Sequence, residues 1–79
     1  MSIEAFISHF ESAVGGLPEG GVSATTEFKN LKGWDSMALI YVLAMVDDKY
    51  GIQLSGPEIQ QCATIGDVFA AVVEKRKNG

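Results

Sequence analysis

The sequence predicts an all-α domain: a small four-helix bundle of three main helices and one short helix, with a long loop between the first two. Three observations carry that expectation. Apolar residues recur at three- and four-residue spacing in three separate stretches, opening near Ile3, Ser36 and Ile65. Each is preceded by a residue able to cap a helix, namely Ser2, Asp35 and Thr64. Between the first two stretches, residues 15–35 are broken by Gly15, Gly16, Pro18, Gly20, Gly21 and Gly33.

Ser2 caps a first helix in which Ile3, Phe6, Ile7, Phe10 and Val14 form one apolar stripe, and Gly15-Gly16 ends it. His9 lies beside the stripe with no second His or Cys at metal-ligand spacing, so it reads as a structural or solvent-facing residue. A structureless loop as long as 15–35 is normally functional or pinned to the core. Leu17, Val22, Phe28 and Leu31 are the expected pins, and Thr25-Thr26-Glu27-Phe28 the expected short turn.

The second helix is expected from Ser36 to Tyr50, with Asp35 as N-cap and Gly51 as its stop. Trp34 is placed to staple onto Leu39 and fix the angle of entry. Ser36 falls at the first helical position, where the positive end of the helix dipole favours a bound or attached phosphate. At 100° per residue, Leu39, Val42, Leu43, Val46 and Tyr50 share the arc expected to face the core. Ser36, Met37, Ile40, Tyr41, Ala44, Asp47 and Asp48 share a second arc, apolar beside the serine and acidic at the far end. So small a domain cannot easily enclose a helix that is apolar nearly all round, so this arc reads as an exposed strip for partners, with Met37 and Ile40 as core residues the alternative.

Ile52-Gln53-Leu54 reads as a short extended link. Ser55-Gly56-Pro57-Glu58 is a capping-box pattern with proline in the first turn, opening a short helix with Ile59 and Cys62 directed inward. Cys62, with no neighbouring base, is expected to be buried and inert. Thr64 and Asp67 form a second capping box for the last helix, whose inward stripe is Ile65, Val68, Phe69, Val72 and Val73. Lys75, Arg76 and Lys77 complement the negative end of its dipole.

At 79 residues the chain makes a single domain, 1–79, and its 47% hydrophobic content suffices for one core. A net charge of −4 and the lack of a basic face argue against nucleic acid. The ten-residue apolar run from Met37 to Val46 is too short for membrane insertion, and no signal-peptide pattern opens the chain. The lone Cys62 suits a reducing compartment. A start at Met1 and a short polar tail lead us to expect a free-standing, cytoplasmic monomer. No metal cluster, phosphate loop or nucleophile–base–acid set is visible, and Asp47-Asp48 point about 100° apart on a helix. Autonomous catalysis is not expected.

The ordered set of an amphipathic first helix, a long loop, Asp35-Ser36-Met37, Val46-Asp47-Asp48-Lys49-Tyr50-Gly51-Ile52 and Thr64-Ile65-Gly66-Asp67-Val68 resembles the acyl carrier proteins and the related aminoacyl and peptidyl carriers. The resemblance covers most of the chain. It implies a 4′-phosphopantetheine arm, donated by coenzyme A and fixed by a phosphodiester to Ser36 behind Asp35, with acyl or aminoacyl cargo held as a thioester on the arm's thiol. It implies a phosphopantetheinyl transferase and loading ligases, synthases or transferases as partners, reading Met37, Ile40, Tyr41, Ala44, Asp47 and Asp48. It also implies a cargo cleft, for which Leu39, Val42, Leu43, Val46, Leu54 and Cys62 are the candidate lining. Ala38 and Tyr41 stand where fatty-acid carriers are often acidic, which points to a dedicated carrier of fatty-acid-like, polyketide or other specialised biosynthesis. An aminoacyl or peptidyl carrier is the alternative cargo class, and an unmodified helical interaction module the alternative of a different kind.

Overall fold

Two phenylalanines one helical turn apart set the centre of the molecule. In the computed structural model, which describes residues 2–15 and 21–78, Phe6 and Phe10 of α1 (Ile3–Val14) are fully buried. Around them pack α2 (Ser36–Tyr50), α3 (Gly56–Gln60) and α4 (Ile65–Asn78), with a 3-10 turn at Phe28–Asn30 in the connection. The architecture is the expected one of three main helices and one short helix. One cluster joins every element: Phe28, Val42, Val46, Ile59, Ile65, Val68 and Val72 are all fully buried within it.

Local chemistry accounts for the helix ends. Ser2 accepts from the Ala5 amide at 3.2 Å, and Gly15 stops α1 at a positive φ of 73°. Gly51 closes α2 in the left-handed conformation, its amide donating to the Asp47 carbonyl. In α3 both halves of the capping box form: the Glu58 amide donates to Ser55 Oγ at 3.3 Å, and the Ser55 amide to Glu58 Oε1 at 2.9 Å. At α4 the Asp67 amide donates to Thr64 Oγ1, while Asp67 Oδ2 accepts from the amides of Ala63 and Thr64, each at 3.1 Å.

The described part of the long connection is pinned by side chains and by backbone. Val22 and Phe28 are buried and Leu31 packs partly against the core, whereas Leu17 lies outside the described residues. Thr26 lends its carbonyl to the Ile65 amide at 3.1 Å, and Ala24 lends its own to the Gly66 amide at 2.8 Å. The loop thereby supplies acceptors for two of the donors that every helix start leaves unpaired. Lys29 adds a side-chain bond to the Gln60 carbonyl at 2.7 Å, closing the end of α3.

Three expectations are modified by the packing. The buried arc of α2 includes Ala38 and Met45 beside Val42 and Val46, while Leu39, Leu43 and Tyr50 are only half-buried flanks. The buried arc is turned toward α1, the most extensive neighbour of α2, and Met45 also lines the groove against it. Cys62 is half-buried rather than buried, with Sγ donating to the Glu58 carbonyl at 3.4 Å. Burial, with the Asp67 carboxylate second, pushes its thiol pKa up, so the expected inertness stands. Lys75 does more than complement a dipole: Nζ bonds Glu58 Oε1 at 2.8 Å and the Gln53 carbonyl at 3.0 Å, fastening α4 to α3 and to the link before it.

Candidate functional site

Asp35 sits in extended backbone and accepts a hydrogen bond from the Ala38 amide at 2.8 Å, while its own carbonyl takes the Leu39 amide at 3.1 Å. That pair fixes Ser36 as the first residue of α2, and its side chain is exposed. The next two amide donors of the turn, on Ser36 and Met37, point out of the helix end by its geometry. The hydroxyl therefore stands in solvent beside free N–H groups and the positive end of a 15-residue helix dipole.

The approach to this turn is held by aromatic packing. Trp34 stacks on Phe10 of α1 with ring centroids 6.2 Å apart and planes 7° from parallel. It also meets Phe28 of the 3-10 turn edge-on at 4.8 Å. Its ring partners thus come from α1 and the loop. Non-local rings of this kind give no signal at fixed spacing. The consequence is that the residue before the cap is anchored to the core on two sides.

Beyond Ser36 the outward arc of α2 is as the wheel suggested. Met37, Ile40 and Tyr41 are 49%, 54% and 49% exposed, an uncommon concentration of large apolar side chains on one face. Ala44, Asp47 and Asp48 continue it, all exposed, with Lys49 3.8 Å from Asp48. Between this face and α1 lies an open groove that helix-by-helix reading missed. His9 and Ala13 form one wall and Tyr41, Ala44 and Met45 the other. Its only trace in the sequence is a pair of small residues, Ala13 and Ala44, one on each helix.

The candidate cleft lining divides. Val42, Val46 and Leu54 are buried in the core cluster, and Leu39, Leu43 and Cys62 pack against it part-buried. His9 makes an edge contact with Tyr50 at 6.1 Å between ring centroids. Among the described residues no three His, Cys, Asp or Glu gather as a metal site, and no helix is long and apolar enough to cross a membrane.

A family model described as a phosphopantetheine attachment site matches residues 8–72. The chain belongs to this family. It is a carrier protein domain, non-catalytic, bearing 4′-phosphopantetheine as its prosthetic group and modified by a phosphopantetheinyl transferase. No curated protein and no solved structure matches the chain. The first turn of α2 suits such a group on physical grounds: an exposed hydroxyl to esterify, free amides and a helix dipole to meet the phosphodiester charge, and a rigid cap behind it. When bound, the arm supplies a thiol for thioester chemistry, and the carrier's own residues supply attachment, presentation and recognition.

Proposed function

We propose that Ser36 carries the arm, and that the carrier presents acyl groups as thioesters to the enzymes of a specialised biosynthetic route. The observation that carries this reading is an exposed serine at the first position of α2, behind the capping Asp35 and inside the matched stretch. In this reading Asp35 positions Ser36 by holding the first turn, and Trp34 holds Asp35. Met37, Ile40, Tyr41 and Ala44, with Asp47 and Asp48 at the far end, form the face read by the transferase and by loading and consuming enzymes. Residues 1–79 work as one carrier domain. An aminoacyl or peptidyl cargo is the second reading, since nothing at Ser36 distinguishes the two thioesters.

Intact mass tests the site. Incubation with coenzyme A and a broad-specificity phosphopantetheinyl transferase should add one phosphopantetheinyl increment to the wild type and none to Ser36→Ala. An increment retained on Ser36→Ala, with both proteins folded by circular dichroism, overturns the assignment. Supplying acyl- and aminoacyl-activating ligases to the modified protein then separates the two cargo classes.

A further inference from the structure

The chain carries a net charge of −4, yet three of its six basic residues, Lys75, Arg76 and Lys77, stand in a row at the end of α4. We infer that this end of α4 anchors an acidic segment of a partner protein. One apolar side chain of the segment rests on Phe69 and Val73, and flanking carboxylates meet Arg76 and Lys77. The surface is separate from the α2 face and does not depend on what Ser36 carries.

Shape is the first argument. Phe69, Val73, Arg76 and Lys77 recur at helical spacing, so they share one face of α4. Together they line an open depression of about 440 Å³. Its floor is fixed, because the Phe69 ring packs on Phe6 with centroids 5.4 Å apart. A second depression, beside Tyr50, Ile52 and Gln53, shares Arg76 with the first. The planar guanidinium thus edges both hollows, where it can take a carboxylate in two parallel hydrogen bonds.

Charge is the second argument. Lys75 is already engaged, with Glu58 and the Gln53 carbonyl. Arg76 and Lys77 are exposed, and among the described residues their side chains make no hydrogen bond or ion pair. The α4 dipole accounts for cations at this end, but not for the apolar hollow they border. Elsewhere the chain is mainly acidic and repels an acidic segment, so charge complementarity selects this end. A flat anionic membrane fits less well. Glu74 is exposed on the same turn, and Asp47 and Asp48 at the end of α2 beside it, so a plane meets acids together with the bases. A narrow segment avoids them.

Position is the third. Tyr50, at the edge of the second hollow, lies about 21 Å along α2 from Ser36. A segment held there leaves the first turn of α2 and its apolar face open. The carrier is thereby kept at an assembly while successive enzymes meet α2.

The experiment selects a phage-displayed library of random dodecapeptides on the full unmodified chain. The best-enriched peptide, synthesised alone, is then titrated into isotope-labelled protein. It should carry at least two acidic residues beside an apolar one and shift the amides of Val73, Arg76, Lys77 and Gln53. Arg76→Gln with Lys77→Gln should bind it at least about tenfold more weakly, a loss of about 1.4 kcal/mol. Lys75 is left intact because it fastens α4 to α3. Affinity should also fall more than about threefold between 0.1 and 1 M salt, as for any contact between exposed charges. Ser36→Ala should bind as the wild type does, so failure of the attachment reading leaves this test standing. No enriched peptide, enriched peptides without acidic residues, or shifts centred on Met37, Ile40 and Tyr41 overturn the proposal. So does equal binding by the double variant. Sedimentation with phosphatidylserine vesicles, lost in the double variant, would assign the surface to lipid and overturn it as well.

Discussion

The Gly66 amide donates to the Ala24 carbonyl at 2.8 Å, and a side-chain carbon placed on Gly66 would stand only 3.0 Å from that same oxygen. One contact thus explains both why the long loop lies against α4 and why a glycine occupies its first turn. Together with the Thr26 carbonyl and the Thr64 side chain, it leaves the first amides of α4 paired.

Gly66→Ala should therefore lower stability by about 1–3 kcal/mol, the usual cost of overpacking a tight contact. For a domain of this size, each lost kcal/mol lowers Tm by about 4–8 °C. Gly33→Ala is the matched control, since its nearest neighbours would be the Gly15 carbonyl at 3.6 Å and Val14 Cγ1 at 3.7 Å, both ordinary contacts. It should be neutral, or stabilising by up to about 1 kcal/mol. Equal melting temperatures for the two variants would show that the loop yields freely at Ala24.

Asp35→Ala removes the acceptor for the Ala38 amide and should cost about 1 kcal/mol, whereas Asp35→Asn keeps a capping oxygen and most of the stability. Urea unfolding of the three proteins decides the matter. If Asn is as costly as Ala, the carboxylate charge and not the cap is what the helix start requires.

Trp34→Ala takes away a stacked partner of Phe10 and an edge contact to Phe28. Because the ring is half-buried, the loss should fall near about 2–3 kcal/mol, below that of a fully enclosed tryptophan. Trp34→Phe should recover part of it. A loss under about 0.5 kcal/mol, the level of an ordinary surface change, would mean the ring does not anchor the entry to α2.

Acid should unfold the protein through two carboxylates. The Lys75 ammonium, followed by the Ser55 amide, lowers Glu58 below its ordinary 4.5. The amides of Thr64 and Ala63 lower Asp67 below its ordinary 3.8. Each lowered pKa means that the folded state binds the proton more weakly than the unfolded chain. Both contributions are therefore present above those ordinary values and are lost as pH falls through the lowered ones. Tm should drop from about pH 5 downward. Glu58→Gln with Asp67→Asn should be less stable near neutrality and lose less on acidification. A double variant that follows the wild-type acid curve would assign the effect to other groups.

The parts of the fold legible in the sequence were those set by near neighbours. Both ends of α2 follow from Asp35 and Gly51, and the capping boxes from residues three apart, because each depends on bonds within one turn. The outward arc from Ser36 to Asp48 was legible for the same reason, being a matter of helical period. What escaped was non-local. The burial of Met45 depends on how α1 lies across α2, and the anchoring of Trp34 on rings 24 residues upstream and six upstream. The loop carbonyls that pair with α4 come from Ala24 and Thr26, whose side chains carry no sign of it. The groove is likewise a property of two helices and belongs to the sequence of neither.

Partner binding should depend mainly on apolar contact. The first acidic residue after Ser36 is Asp47, and the three large side chains nearest the serine are Met37, Ile40 and Tyr41, each about half exposed. Removing such surface from water is insensitive to ionic strength, whereas attraction between exposed charges weakens as the screening length falls from about 10 Å at 0.1 M salt to about 3 Å at 1 M. Affinity for a cognate enzyme should thus change by less than about threefold over that range, since few charge pairs are there to be screened. Ile40→Ala and Met37→Ala should each weaken binding by about 5- to 30-fold, as loss of 1–2 kcal/mol at an interface anchor implies. Asp47→Asn with Asp48→Asn should matter less than either. Titrations at low and high salt separate the cases. A steep loss of affinity with salt, abolished in the Asp47/Asp48 double variant, would transfer recognition to the acidic end of α2 and leave the apolar residues beside Ser36 to the cargo alone.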